Sequence, residues 1–218
     1  GFSASITAAE AGKRVALVGH GTIGGTCVNV GCVPSKTMIR MAEALHGARV
    51  ADRFAGISGD ARINDWSQVI AAKDALVATL RQKKYIDLLP EYEGVSYLEG
   101  AARITSSGVE VNGTGILADK VIVATGSSPA LPDIPGLSGV PFLTSTTALE
   151  LNKLPRSIMV LGGGYIGCEL AQMFARTEVE VTLVTRSRLL PNAEPEISHA
   201  LTGFFEEEGI KVRTNLIY

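Results

Sequence analysis

The chain has 218 residues, of which 46% are hydrophobic and 19% charged, and it carries a formal net charge of −2. That balance excludes a disordered tail and a protein that holds nucleic acid through bulk positive charge, and no apolar run reaches the ~18 residues of a membrane helix. Three cysteines are too few for a disulfide scaffold of this size. The start lacks the basic-then-apolar layout of a signal peptide, and a cytoplasmic location is the expectation.

In chain order, residues 1–12 read as a helix ending at Gly12, followed by a short buried strand at 13–18. A helix that feeds a strand is expected to follow an earlier strand, so the sequence reads as beginning inside a βαβ unit. A loop dense in Gly, Cys and Pro fills 21–36. Helices are expected at 36–50 and at 65–89, the second from Trp66, Val69, Ile70, Leu76, Val77 and Leu80 at helical spacing. Short strands follow at 95–98, 101–104, 109–111 and 116–117, and a further buried strand at 120–124. Pro129, Pro132, Pro135 and Gly136 mark a linker. A second unit begins near Thr144. Its strand at 157–161 runs into Gly162-Gly163-Gly164-Tyr165-Ile166-Gly167, a helix to Arg176, a strand at 180–184, a helix at 197–208 and a strand from 210. The fold class expected is α/β: tandem Rossmann-like dinucleotide-binding domains, with helices flanking parallel sheets and a small β-meander. The first domain covers 1–143 and the second 144–218, each cut at an outer end.

Gly24-Gly25-Thr26-Cys27-Val28-Asn29-Val30-Gly31-Cys32-Val33-Pro34-Ser35-Lys36 is the most informative stretch. Its two cysteines, five apart, sit at an expected helix start, where unpaired N–H groups and the helix dipole favour a thiolate. Lys36 adds positive charge nearby. A structural zinc site would need two more ligands, and neither His20 nor His46 has the spacing. Gly162-x-Gly164-x-x-Gly167 follows a strand and opens a helix, the context a dinucleotide fingerprint requires. Arg186 and Arg188 follow the next strand where an NAD site usually carries an acid, and two arginines suit a 2′-phosphate, favouring NADPH over NADH.

The cysteine stretch resembles the redox-disulfide signature of the class I flavin disulfide reductases, the pyridine nucleotide-disulfide oxidoreductases. The likeness continues through Ala124-Thr125-Gly126 and the second fingerprint, over nearly the whole chain. Val28, Val30, Val33 and Ser35, the lead-in 21–25 and residues 84–89 resemble the mercuric reductases within that family. The resemblance implies FAD and NADPH as cofactors and an enzyme that passes hydride through the flavin to a Cys27–Cys32 disulfide. Cys32 would face the flavin and Cys27 the substrate, with Hg(II) reduced to Hg(0) and the two cysteines its transient ligands. Gly1 would be the third glycine of the FAD fingerprint. Gly24, Gly25, Thr26, Thr125 and Gly126 would contact FAD, and Gly19 stands where an acid would bind the FAD ribose. Tyr165 would cover the nicotinamide pocket, with Glu169 pairing with Lys36. The small Cys168 is expected to be buried. A homodimer is implied, with its dimerisation domain downstream. Dihydrolipoamide dehydrogenase, which would show an acid at 186, a glutathione reductase-like enzyme and a non-catalytic nucleotide-binding fragment are the alternatives. A flavin-free, mercury-binding thiol module is a fourth, but it would have no use for the second fingerprint.

Overall fold

Val15-Ala16-Leu17-Val18, short and rich in apolar β-formers, becomes β1 (Val15–Gly19), fed by α1 (Phe2–Glu10) through Gly12 at φ +73°. The computed structural model describes residues 1–217. It separates into two compact units, Gly1–Val33 with Asp74–Ser128, and Pro34–Lys73 with the chain from Pro129 on.

In the first unit β1 pairs in parallel with β2 (Val95–Glu99), placing Val15 opposite Val95 and Gly19 opposite Glu99. The unit also holds α2 (Gly25–Asn29), the first residues of α3 (Cys32–Arg49) and the end of α4 (Trp66–Arg81). The helix expected to run on to residue 89 stops at Arg81 and continues as a π turn over Gln82–Ile86. Three antiparallel strands, β3 (Ala102–Thr105), β4 (Gly108–Val111) and β5 (Thr114–Leu117), form the expected meander. Asn112 at φ +49° and Gly113 at φ +83° close the β4–β5 hairpin, since a tight turn of this hand needs two positive φ angles.

The strand expected at 120–124 does not form. Val121, Ile122 and Val123 are 42%, 70% and 66% exposed, and no strand among the described residues pairs with them. Apolar β-formers make a strand only when a neighbour takes up their N–H and C=O groups.

The second unit carries a short helix, α5 (Ser145–Ala148), and is built on a parallel sheet, β6 (Ser157–Leu161), β7 (Glu180–Val184) and β8 (Lys211–Arg213), with α6 (Tyr165–Arg176) and α7 (Pro195–Glu207) as crossovers. Leu170, Ala171, Met173 and Phe174 of α6 are buried with Leu183, Leu189, Phe205 and Ile210. Met38 and Ala42, four apart on α3, join this core with Trp66 and Ile70 of α4. The Trp66 indole donates to the Leu151 carbonyl at 2.7 Å, satisfying its N–H while the ring stays buried. These contacts draw Pro34–Lys73 into the second unit, so compactness divides the chain differently from a single cut near residue 143.

One polar cluster holds the far end of α6. Arg176 donates from Nε to Glu208 Oε2 at 2.7 Å and from a terminal nitrogen to Oε1 at 2.6 Å, and Gln172 adds a bond to Oε1 at 2.8 Å. Burial raises the Glu208 pKa, but the bonds and charge of Arg176 outweigh it and hold the carboxyl below its ordinary value. Because the folded pKa is depressed, the contribution is present above the unfolded carboxylate pKa and lost as pH falls through the folded value. Glu208→Ala should therefore cost about 1.5–3 kcal/mol near neutral pH, the worth of hydrogen bonds to a charged group in a part-buried pair. Urea melts of both proteins should show the difference shrink as the pH is lowered through the carboxylate range.

Candidate active site

The two redox-motif cysteines lie on separate helices. Gly24, at φ +113°, starts α2, which ends at Asn29, and α3 starts anew at Cys32. The break depends on Gly31, where a Cβ would stand 2.9 Å from the Thr26 carbonyl oxygen and 3.2 Å from the Cys27 Cα. This close approach brings the exposed thiols together, and Cys27 hydrogen-bonds with Cys32. That bond raises the Cys27 pKa, burial and repulsion from Cys32 add to it, and a backbone bond from Cys32 and the Lys84 charge pull the other way. The balance of these effects favours the protonated form of Cys27. The helix start belongs to Cys32, the first residue of α3, while Cys27 sits inside α2.

Several groups that hold this loop escaped the sequence reading. Asn29, between the cysteines, donates to the carbonyls of Ile23 at 3.0 Å and Gly25 at 3.1 Å. Arg81 donates to Asn29 Oδ1 at 2.9 Å from the last residue of α4. In the π turn that follows, Tyr85 packs edge-on against Phe2, with ring centroids 4.8 Å apart, and lies beside Gly24. Asn29 and Tyr85 stood within stretches that carried the resemblance, but their bracing roles, and that of Arg81, had no signal of their own.

In the second unit, Lys36 of α3 and Glu169 of α6, 133 positions apart, form an ion pair with Nζ 2.5 Å from Oε2. Their side chains are 55% and 39% exposed, so the pair adds only about 0–1 kcal/mol to stability. Tyr165, at the first turn of α6, is 67% exposed.

Two of the three fingerprint glycines have a reason in the backbone itself. Gly162, at φ +115°, donates its N–H to Val184 at 2.8 Å. A Cβ on Gly163 would press on Thr185 and Leu189, and one on Gly167 would strike the Gly162 carbonyl. Gly164, which precedes α6, faces open space. A bare, open backbone at a helix start fits a dinucleotide pyrophosphate. Cys168 is buried, with Sγ 3.5 Å from the Gly163 carbonyl oxygen, and burial pushes its thiol up to about 11. It is a packed neutral thiol, as expected.

The two arginines after β7 differ. Arg188 donates to the carbonyls of Pro191 at 2.9 Å and Ala193 at 2.7 Å, so its guanidinium is committed to its own loop. Arg186 is exposed.

In the first unit, Gly1 precedes α1, and a Cβ there would meet the Ala124 Cβ at 3.5 Å, an ordinary contact. Packing therefore does not demand glycine at that position. Thr125 and Gly126 are exposed, and Gly126 has φ +77°, with Thr26 Oγ1 2.9 Å from where its Cβ would be. Gly25, at φ +73°, has nothing within 4 Å of its Cβ position. These bare stretches fit the approach of a second dinucleotide. Gly19 ends β1 without an acid. Among the described residues no cluster of His, Cys, Asp and Glu could hold a metal ion, and no helix is long and apolar enough to cross a membrane.

Comparison with known proteins agrees with this geometry. The family model described as "Pyridine nucleotide-disulphide oxidoreductase" matches residues 1–216. The chain is 48% identical to a mercuric reductase of Streptomyces lividans over 98% of its own length and 46% of the relative's. It is 46% identical to one of Staphylococcus aureus over its whole length and 40% of the relative's. It thus spans under half the length of these curated relatives. The HOCl-induced flavoprotein disulfide reductase RclA of Escherichia coli superposes with a TM-score of 0.82 at 30% identity, over 99% of this chain and 46% of that one. With a helix-flanked parallel sheet, a glycine cradle and two thiols in contact on adjoining helices, the chain belongs to the pyridine nucleotide-disulphide oxidoreductase family.

Proposed function

We propose that this chain is the nucleotide-binding part of a cytoplasmic, homodimeric mercuric reductase that uses NADPH, FAD and the Cys27–Cys32 pair. The observation that carries the reading is the thiol pair itself, in hydrogen-bond contact across the α2–α3 break, in a chain that shares 48% identity with a mercuric reductase. Soft thiolates are the ligands a soft cation such as Hg(II) prefers. Residues 1–143 would hold FAD through Gly1, Gly24, Gly25, Thr26, Lys36, Thr125 and Gly126. Residues 144–218 would hold NADPH through Gly162, Gly164, Tyr165, Gly167 and Arg186. Arg188 would shape the loop that presents Arg186.

When bound, the two cofactors supply a hydride from NADPH and its relay as an electron pair, so that Hg(II) gains two electrons and leaves as Hg(0) while one proton is released. The protein's residues prepare this exchange. Gly31 brings the thiols within reach of each other, and Asn29 with Arg81 holds the Cys27 side of the pair. Lys36, steadied by Glu169, sets a positive charge one helical turn after Cys32.

The test uses the full-length protein. Hg(II) should drive NADPH oxidation with release of volatile mercury, and Cys27→Ser or Cys32→Ser should abolish it. Turnover of dihydrolipoamide with NAD or of glutathione disulfide with NADPH, without mercury release, would instead place the protein with the disulfide reductases.

A further inference from the structure

The end of β1 is unusual. In a dinucleotide-binding βαβ unit an acid at this place takes the ribose hydroxyl, and here the residue is Gly19. The structure puts another polar group in that space. Tyr97, on the neighbouring strand β2, pairs in register with Leu17, two residues before Gly19. Its side chain lies along the strand, as side chains on one sheet face do. The hydroxyl oxygen stands 2.8 Å from the position a Cβ on Gly19 would take, with the ring carbons Cε2 and Cζ at 3.0 and 3.3 Å. Any acid at position 19 would have to displace that ring.

The Tyr97 hydroxyl makes no hydrogen bond to another described protein group, although a half-buried phenol normally finds one. It therefore faces the carboxyl end of a parallel strand pair with its donor unspent, in the place where α/β sheets bind nucleotides. Glu99, opposite Gly19 across the ladder, is not among the atoms nearest that position.

We propose that the Tyr97 hydroxyl replaces the missing acid and hydrogen-bonds the adenosine ribose hydroxyl of FAD. The proposal rests on the flavoprotein reading above. A neutral donor does this work with no buried negative charge near the pyrophosphate. It also fits Gly19, whose bare backbone leaves room for the ring.

The test is the affinity of the full-length apoprotein for FAD and for an FAD analogue carrying 2′-deoxyadenosine, each read by quenching of flavin fluorescence. Wild-type protein should bind the deoxy analogue about three- to tenfold more weakly than FAD, the worth of one neutral hydrogen bond. Tyr97→Phe should weaken FAD by that factor and leave the deoxy analogue unchanged. Gly19→Glu combined with Tyr97→Ala, which makes room for an acid, should recover FAD binding. Equal FAD affinity in wild type and Tyr97→Phe overturns the proposal, as does an equal loss for FAD and the analogue. A loss in Glu99→Gln with none in Tyr97→Phe overturns it too, by moving the role to the neighbouring acid. Wild-type protein that binds no FAD at all would overturn the flavoprotein reading itself, a result distinct from the others.

Discussion

Lys36→Met in the full-length protein should slow flavin reduction by NADPH roughly 10²–10³-fold, the cost of losing one preorganised donor or charge at a reacting centre, about 2.7–4 kcal/mol. The geometry makes this a clean substitution. Lys36 meets Glu169 at 2.5 Å, and both side chains are more than a third exposed. An exposed pair of that kind is worth only about 0–1 kcal/mol to folding, so the variant should fold normally. Met keeps an unbranched apolar stem close to that of Lys and removes the ammonium with its charge and donors. Stopped-flow absorbance of the flavin gives the rate, and alkylation mapping shows whether Cys27 and Cys32 still form a disulfide. An unchanged rate with flavin bound would reduce the ion pair to a surface contact. Glu169→Gln should give a smaller loss, because it releases Lys36 without removing its charge.

The second large effect concerns the choice of nicotinamide cofactor. Arg186→Glu should lower kcat/KM for NADPH ten- to a hundredfold, as expected for about 1.5–3 kcal/mol of hydrogen bonding to a charged group. The loss for NADH should be far smaller, because an acid at a strand end can take a ribose hydroxyl. Arg188→Ala serves as the contrast. Its guanidinium holds the carbonyls of Pro191 and Ala193, so its loss should loosen the loop and affect both cofactors to a similar degree. Steady-state kinetics with the two nucleotides separates the roles. Equal losses in Arg186→Glu would show that Arg186 does not read the phosphate.

Much of this protein can be read along the chain, because the responsible physics is local. Glycines mark places where the backbone must take positive φ or admit a close neighbour, as at Gly24, Gly113 and Gly162. Hydrophobic spacing separates β6, α6 and β7 from one another. The cysteine stretch, long and chemically particular, is enough to place the family.

The tertiary structure decided matters that depend on partners distant in sequence. Residues 120–124 have the composition of a strand, yet they stay unpaired because a strand exists only with a neighbour. Lys36 and Glu169 meet across 133 positions, which no periodicity encodes; only a resemblance suggested it. The cysteine spacing pointed to two thiols near one helix start, but Gly31 splits that start in two, seating Cys27 inside α2 and Cys32 at the start of α3. Of two equivalent arginines in the sequence, Arg188 becomes a loop brace. Gly19 reads as a missing acid until β2 is laid beside β1, where the parallel register carries the Tyr97 hydroxyl into the gap. In each case the sequence supplies the group, and strand register or helix packing chooses the atom it meets.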